Sequence, residues 1–163
     1  MDRVLVSACL LGRPVRYDGS GKLFGHPVLT RWEREGRIVA LCPEVAAGLS
    51  TPRPPAEIVG EGGGEGVIDG LARVVEAGGS DVTSSYLDAA RIALDSARRA
   101  GCRFAVLTEG SPTCGSGFIH DGTFGGRRIP GRGTAAALLE RHGIRVFPES
   151  RIAELDQLLD TDR

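Results

Sequence analysis

No apolar run in this chain approaches the roughly 20 residues that a bilayer-spanning helix needs, so no membrane partner is expected. Lysine is nearly missing. Lys22 is the only one, and arginine supplies the rest of the 20 basic residues. Against them stand 21 acidic residues, for a net charge of −1, which excludes a broad basic face and with it a nucleic-acid polymer as partner. Arginine remains the better fork for planar anions such as phosphate. The opening Met1-Asp2-Arg3 leads straight into an apolar run, without the charged, apolar and cleavage regions of a signal peptide. A cytoplasmic location is therefore expected, where thiols stay reduced and disulfides are the weaker reading of the four cysteines. Internal repeats and dividing linkers are also missing, so residues 1–163 read as a single domain large enough for one substantial core.

What is present alternates between two patterns. An almost continuous apolar run at 3–8 reads as a strand covered on both faces, and the stretches 37–41, 103–107 and 144–147 read as further strands. Helical spacing marks about 27–36, with Pro27 near its start, then 133–142 and 150–159. The best helix is about 82–100, where Asp81 can cap the start, Tyr86, Ala89, Ala90, Ala93 and Ala97 recur, and Gly101 can end it. Strands alternating with helices predict an α/β fold, a Rossmann-like parallel sheet with flanking helices. Between the second strand and the long helix lies an excursion. Ser50-Thr51-Pro52-Arg53-Pro54-Pro55 is stiff and extended, glycines cluster at 60–66, and Asp69-Gly70 predicts a small β-hairpin between 66–68 and 71–75. Residues 12–21 and 110–126 read as Gly-rich loops.

The chemistry gathers at strand ends. Cys9 closes the first strand, Cys42 the second, and Cys114 lies in the turn after the third. In an open parallel sheet all carboxyl ends face one crevice, where ligands bind, so three distant thiols converge there. One buried cysteine is an ordinary small core residue; three at equivalent strand ends point to a shared inorganic group. CxxC pairs are missing, which excludes the usual closed structural zinc site. A catalytic zinc with three thiolates and a [4Fe–4S] cluster with one open iron fit the ligand count equally well, and residue types alone leave both open, beside a non-catalytic cluster- or nucleotide-binding module. Cys102 begins a strand, at the opposite edge, and reads as core.

The order of motifs adds a resemblance. Ser7-Ala8-Cys9-Leu10-Leu11-Gly12, Arg16-Tyr17-Asp18-Gly19, Cys42-Pro43-Glu44-Val45, Pro52-Arg53-Pro54-Pro55, Ser111-Pro112-Thr113-Cys114-Gly115 and Ile119-His120-Asp121-Gly122 resemble the DUF523 family, whose characterised members are TudS-type thiouracil desulfidases. The resemblance covers about residues 3–150. It implies a [4Fe–4S] cluster on Cys9, Cys42 and Cys114, with the open iron taking substrate sulfur as hydrosulfide. It implies catalytic roles for Glu44 and Ser111, and a thiolated uracil base or nucleotide as substrate, notably a thiouridine monophosphate. One departure is visible: where the family usually carries lysine, this chain has Thr108. Beside these, Arg16, Tyr17, Asp18 and Arg53 are candidate substrate-binding residues, each of which can equally brace its own loop. His120 and Asp121, adjacent in sequence, read as loop hydrogen-bonding residues.

Overall fold

The structure, a computed structural model, describes residues 1–161. In chain order its elements are β1 (Val4–Ser7), α1 (Pro27–Arg34), β2 (Ile38–Leu41), α2 (Pro43–Ala46), β3 (Ala56–Gly60), α3 (Gly63–Ile68), β4 (Ala72–Glu76), α4 (Thr83–Arg99), β5 (Phe104–Leu107), β6 (Phe118–His120), β7 (Arg128–Pro130), α5 (Thr134–Arg141), β8 (Arg145–Pro148) and α6 (Ile152–Thr161), with short 3-10 turns at Ala8–Leu11 and Glu149–Arg151. Among the described residues no helix is long and apolar enough to cross a membrane.

The central sheet runs β2-β1-β5-β8, with every neighbouring pair parallel. All four residues of β1 are buried because successive side chains enter two different cores. Leu5 packs with Ala105 and Leu107 beneath Ala90, Ala93 and Ala97 of α4 and Ala136 and Leu139 of α5. Val4, Val6, Phe104 and Val106 pack on the other face with Leu29 and Trp32 of α1 and Ile152, Leu155 and Leu159 of α6. Small alanines on α4 and α5 let those two helices lie close over the sheet. This is the Rossmann-like arrangement that the alternation predicts.

Helix ends follow local chemistry. Pro27 occupies the first turn of α1, and the His26 side chain accepts from the Val28 N–H at 3.1 Å. Asp81 contributes as expected, but from just outside α4: its Oδ1 accepts from the Thr83 N–H at 2.9 Å, while Val82 holds the cap position.

The excursion differs from the expected hairpin. Residues 66–68 belong to helix α3, not to a strand, and Asp69 caps that helix at its C-terminus. Strand β4 pairs instead with β3, antiparallel, from Ala56 opposite Glu76 to Gly60 opposite Ala72. Packing explains the outcome. A Cβ on Gly66 would stand 1.8 Å from the Glu61 carbonyl oxygen, and one on Gly64 would stand 2.3 Å from that of Gly133. The glycines thus serve close backbone approach in a tight helical turn. A third small cluster, with Ile58, Val67, Val74, Tyr86 and Ile119, seats the excursion on α4. The stretch 110–126, expected as loop, contains β6, which pairs antiparallel with β7.

Candidate functional site

The chain leaves β1 for β2 on one side and returns to β5 on the other, so the direction of winding reverses at the carboxyl ends of β1 and β5. That switch point is where an open α/β sheet forms its crevice. A cavity of about 430 Å³ lies there, and Cys9, Cys42 and Cys114 all line it. Cys9 sits in the turn after β1, Cys42 immediately precedes α2, and Cys114 follows the turn built on Ser111. All four cysteines are free thiols.

Burial pushes the Cys9, Cys42 and Cys114 thiols above their ordinary range. Neighbouring Cys42 pushes Cys9 further, Glu44 does so for Cys42, and Glu44, Cys42 and Cys9 together do so for Cys114. The three thiols therefore act on one another electrostatically. A cationic inorganic group would bind here with release of their protons, which offsets the cost of gathering anionic sulfur. Among the described residues no three His, Cys, Asp or Glu side chains stand as one metal ion would need. Three thiols that line one cavity form a soft donor set, which suits iron–sulfur and zinc ligation alike. Cys102 is raised by burial alone and packs in the core with Ala97 and Ile144.

Glu44, second residue of α2, is the polar centre of the cavity. Its Oε1 accepts from Arg53 Nε at 3.1 Å and from Tyr86 Oη at 3.0 Å. Its Oε2 accepts from Thr113 Oγ1 at 3.0 Å and, more loosely, from Ser111 Oγ at 3.4 Å. Burial, then the nearby Glu44 charge, pushes the Tyr86 phenol far up, so it stays a donor. Ser111 Oγ itself accepts from the N–H groups of Thr113 at 3.0 Å and Cys114 at 3.2 Å, which ties the turn to the third thiol.

The other candidates separate. Arg53 lines the cavity, but its remaining donors reach Ser50 O, Thr51 Oγ1 and Val15 O, so it orients Glu44 and braces two loops. Arg16 and Tyr17 line the cavity, with Tyr17 well exposed. Asp18 lies outside it. Its carboxylate closes a turn onto the N–H and hydroxyl of Ser20, whose hydrogen bonds hold it below the usual range. His120 lines the cavity with Nδ1 3.2 Å from Gly110 O, while Asp121 bonds Thr123.

Four residues of this neighbourhood escape a reading of the sequence for function. Tyr86 sits at helical spacing among alanines and reads as core; Thr113 is one hydroxyl in a turn; Glu149 follows a strand with no motif. Lys22 carried one signal, its being the only lysine. At position 108, the departure from the family pattern, the Thr108 hydroxyl accepts from Lys22 Nζ at 3.2 Å, so a cation reaches that place from another loop.

The chain matches the 2-thiouracil desulfurase family over residues 4–151. It belongs to that family. Within the desulfurase family's reach, the chain is 43% identical over 152 residues to the uncharacterized protein YbbK of Bacillus subtilis (strain 168), covering 93% of this chain and 99% of that protein. Its structure is similar to that of the [4Fe-4S]-dependent thiouracil desulfidase TudS, with a TM-score of 0.90, 47% identity and 99% of each chain covered.

Proposed function

We propose that this protein is a [4Fe–4S]-dependent thiouracil desulfidase that releases hydrosulfide from a thiolated uracil base or nucleotide by a non-redox, hydrolytic route. The observation that carries this reading is the meeting of three free thiols with a carboxylate held by Arg53, Tyr86 and Thr113 in one cavity. Cys9, Cys42 and Cys114 would hold the cluster, as three free thiols that line one cavity and offer the soft donor set it needs. When bound, it supplies a soft, open iron that polarises a thiocarbonyl sulfur.

The protein's own residues do the rest. Glu44 takes the proton of the attacking water, whose oxygen forms the new bond to the ring carbon. Ser111, within reach of Glu44 Oε2, passes a proton or holds the ring oxygen. The C–S bond breaks with its electron pair on sulfur, so a C=S becomes a C=O and no electron enters or leaves. Arg53 and Tyr86 keep Glu44 aimed. Arg16, Arg128 and His120 around the same cavity suit a substrate phosphate, which favours a monophosphate over the free base. A reducing compartment such as the cytoplasm would keep the thiols available.

The test is anaerobic reconstitution with iron and sulfide, then assay of sulfide release from 2- and 4-thiouracil and from thiouridine monophosphate. Protein with full iron occupancy that releases sulfide from none of them overturns the reading. Zinc bound without iron or labile sulfide in anaerobically purified protein would favour a zinc hydrolase instead.

A further inference from the structure

We infer that Lys22 is the positioning cation of the cavity, its ammonium held between Thr108 and Glu149 and opposed to the negative charge that gathers on the sulfur and ring of a thiolated pyrimidine. The inference rests on the desulfidase reading above.

Both ends of Lys22 are tied down. Its backbone N–H donates to the carbonyl of Cys9 at 2.8 Å, so the loop carrying it is pinned to the first thiol. Its Nζ lies 3.2 Å from Thr108 Oγ1 and 3.2 Å from Glu149 Oε2. Those two partners are themselves fixed. Thr108 donates its N–H to Ser7 Oγ at 2.9 Å and its hydroxyl to Glu149 Oε2 at 3.2 Å, and Glu149 Oε1 accepts from the Glu109 N–H at 3.1 Å. An ordinary surface ion pair has none of this support, and contributes little.

The arrangement is also one-sided. Glu149 does not line the cavity and its side chain is 12% exposed, while Lys22 lines the cavity and is 43% exposed. The carboxylate thus stands behind the ammonium and the open space in front of it. An ammonium has three donors, and two are engaged, which leaves one for a ligand. The chemistry suits lysine. A compact point charge can serve a hydroxyl, a carboxylate and a small soft anion at once, where a planar guanidinium forks towards two oxygens. In a chain whose other basic residues are all arginine, this is the one place that uses the point charge. The cation at the Glu44 wall, Arg53, is already committed to that carboxylate, which leaves Lys22 and Arg16 as the cavity cations near Cys9, and of these two Lys22 is the one held by Thr108 and Glu149.

The test uses the reconstituted full chain and the variants K22M, K22R and T108V. Iron, labile sulfide and the visible spectrum are measured first, then sodium sulfide is titrated into each loaded protein. kcat and KM are next determined for 4-thiouracil and for 4-thiouridine monophosphate. K22M is expected to load its cluster normally, bind hydrosulfide more weakly, and lose roughly 10- to 100-fold in kcat/KM on both substrates, mainly in kcat. K22R should regain part of the loss, and T108V should lose less than K22M. Three results overturn the inference: unchanged hydrosulfide binding and turnover in K22M, a loss confined to the monophosphate, or loss of iron from K22M. The first means no role, the second a phosphate contact, the third a structural brace. If the loaded wild type releases no sulfide from any thiouracil, the desulfidase reading fails separately, and the sulfide titration still reports on Lys22.

Discussion

The phenol of Tyr86, on the long helix α4, donates to Glu44 Oε1 at 3.0 Å across 42 positions of chain. It joins a residue that reads as helix core to the one that reads as the general base. Replacing it by phenylalanine keeps the packing and removes one donor. Y86F should lower kcat about 10-fold, the usual range for a hydrogen bond to a charged group, while iron content stays at the wild-type level. T113V, which removes the donor on Oε2, should behave alike. Unchanged kcat in both would show that Glu44 needs no such aiming.

The Arg53–Glu44 pair is buried, with side chains 5% and 12% exposed. Removing one partner leaves the other charged and unpaired, so R53M should cost about 3 kcal/mol in a chemical denaturation series. R53M should also lower turnover, because Glu44 loses its fixed orientation. A denaturation midpoint equal to that of wild type would show that the pair is not a buried one in solution.

Among the cysteines the variants should divide three to one. C9A, C42A and C114A should each fail to retain a full complement of iron after anaerobic reconstitution. C102A should retain iron and turnover and lose about 1 kcal/mol of stability, since Cys102 only fills core space beside Ala97 and Ile144. An iron-deficient C102A would place the fourth thiol in the site after all.

Two glycines give a paired test of the excursion. At Gly66 an added Cβ meets the Glu61 carbonyl oxygen at 1.8 Å, so G66A should destabilise by about 3 kcal/mol. At Gly25 an added Cβ meets nothing within 4 Å, so G25A should be close to neutral in the same melting experiment.

Asp156 of α6 accepts from Arg31 and, at 3.0 Å, from Trp32 Nε1, both on α1. Burial raises its pKa, but the Arg31 and Trp32 hydrogen bonds together with the Arg31 and Arg37 charges outweigh that and leave it below the ordinary 3.8. A carboxylate depressed by folding stabilises at neutral pH, and that contribution is lost as pH falls through about 4 and below. D156N should therefore lower Tm at pH 7 by the equivalent of about 1–2 kcal/mol, and the difference from wild type should shrink in acid. A difference independent of pH would refute the charge-based account.

Much of this protein is legible in one dimension. The strands that carry Cys9, Cys42 and Cys114 are almost continuous apolar runs, and a parallel sheet places their carboxyl ends on one edge. The expected hairpin does not form, although Asp69-Gly70 has the residues of a two-residue turn, because the partner of β4 lies on the far side of α3, at 56–60. Turn chemistry is local and legible in sequence; the 1.8 Å limit at Gly66 depends on where Glu61 lies, which is not. Two of the donors on Glu44, Tyr86 and Thr113, do not show for the same reason: they come from separate segments, and neither carries a spacing that marks it.

The sequence by itself determined the alternation of strands and helices, the three thiols at equivalent strand ends and the family to which they belong. Those properties follow from hydrophobic periodicity and from motifs that are contiguous along the chain. Only the tertiary structure decided which hydroxyls and cations surround Glu44, that Asp18 turns away from the cavity, and that Lys22 stands against Thr108 and Glu149. Such contacts join residues far apart in sequence, and their energies depend on distance and burial, which no local pattern records.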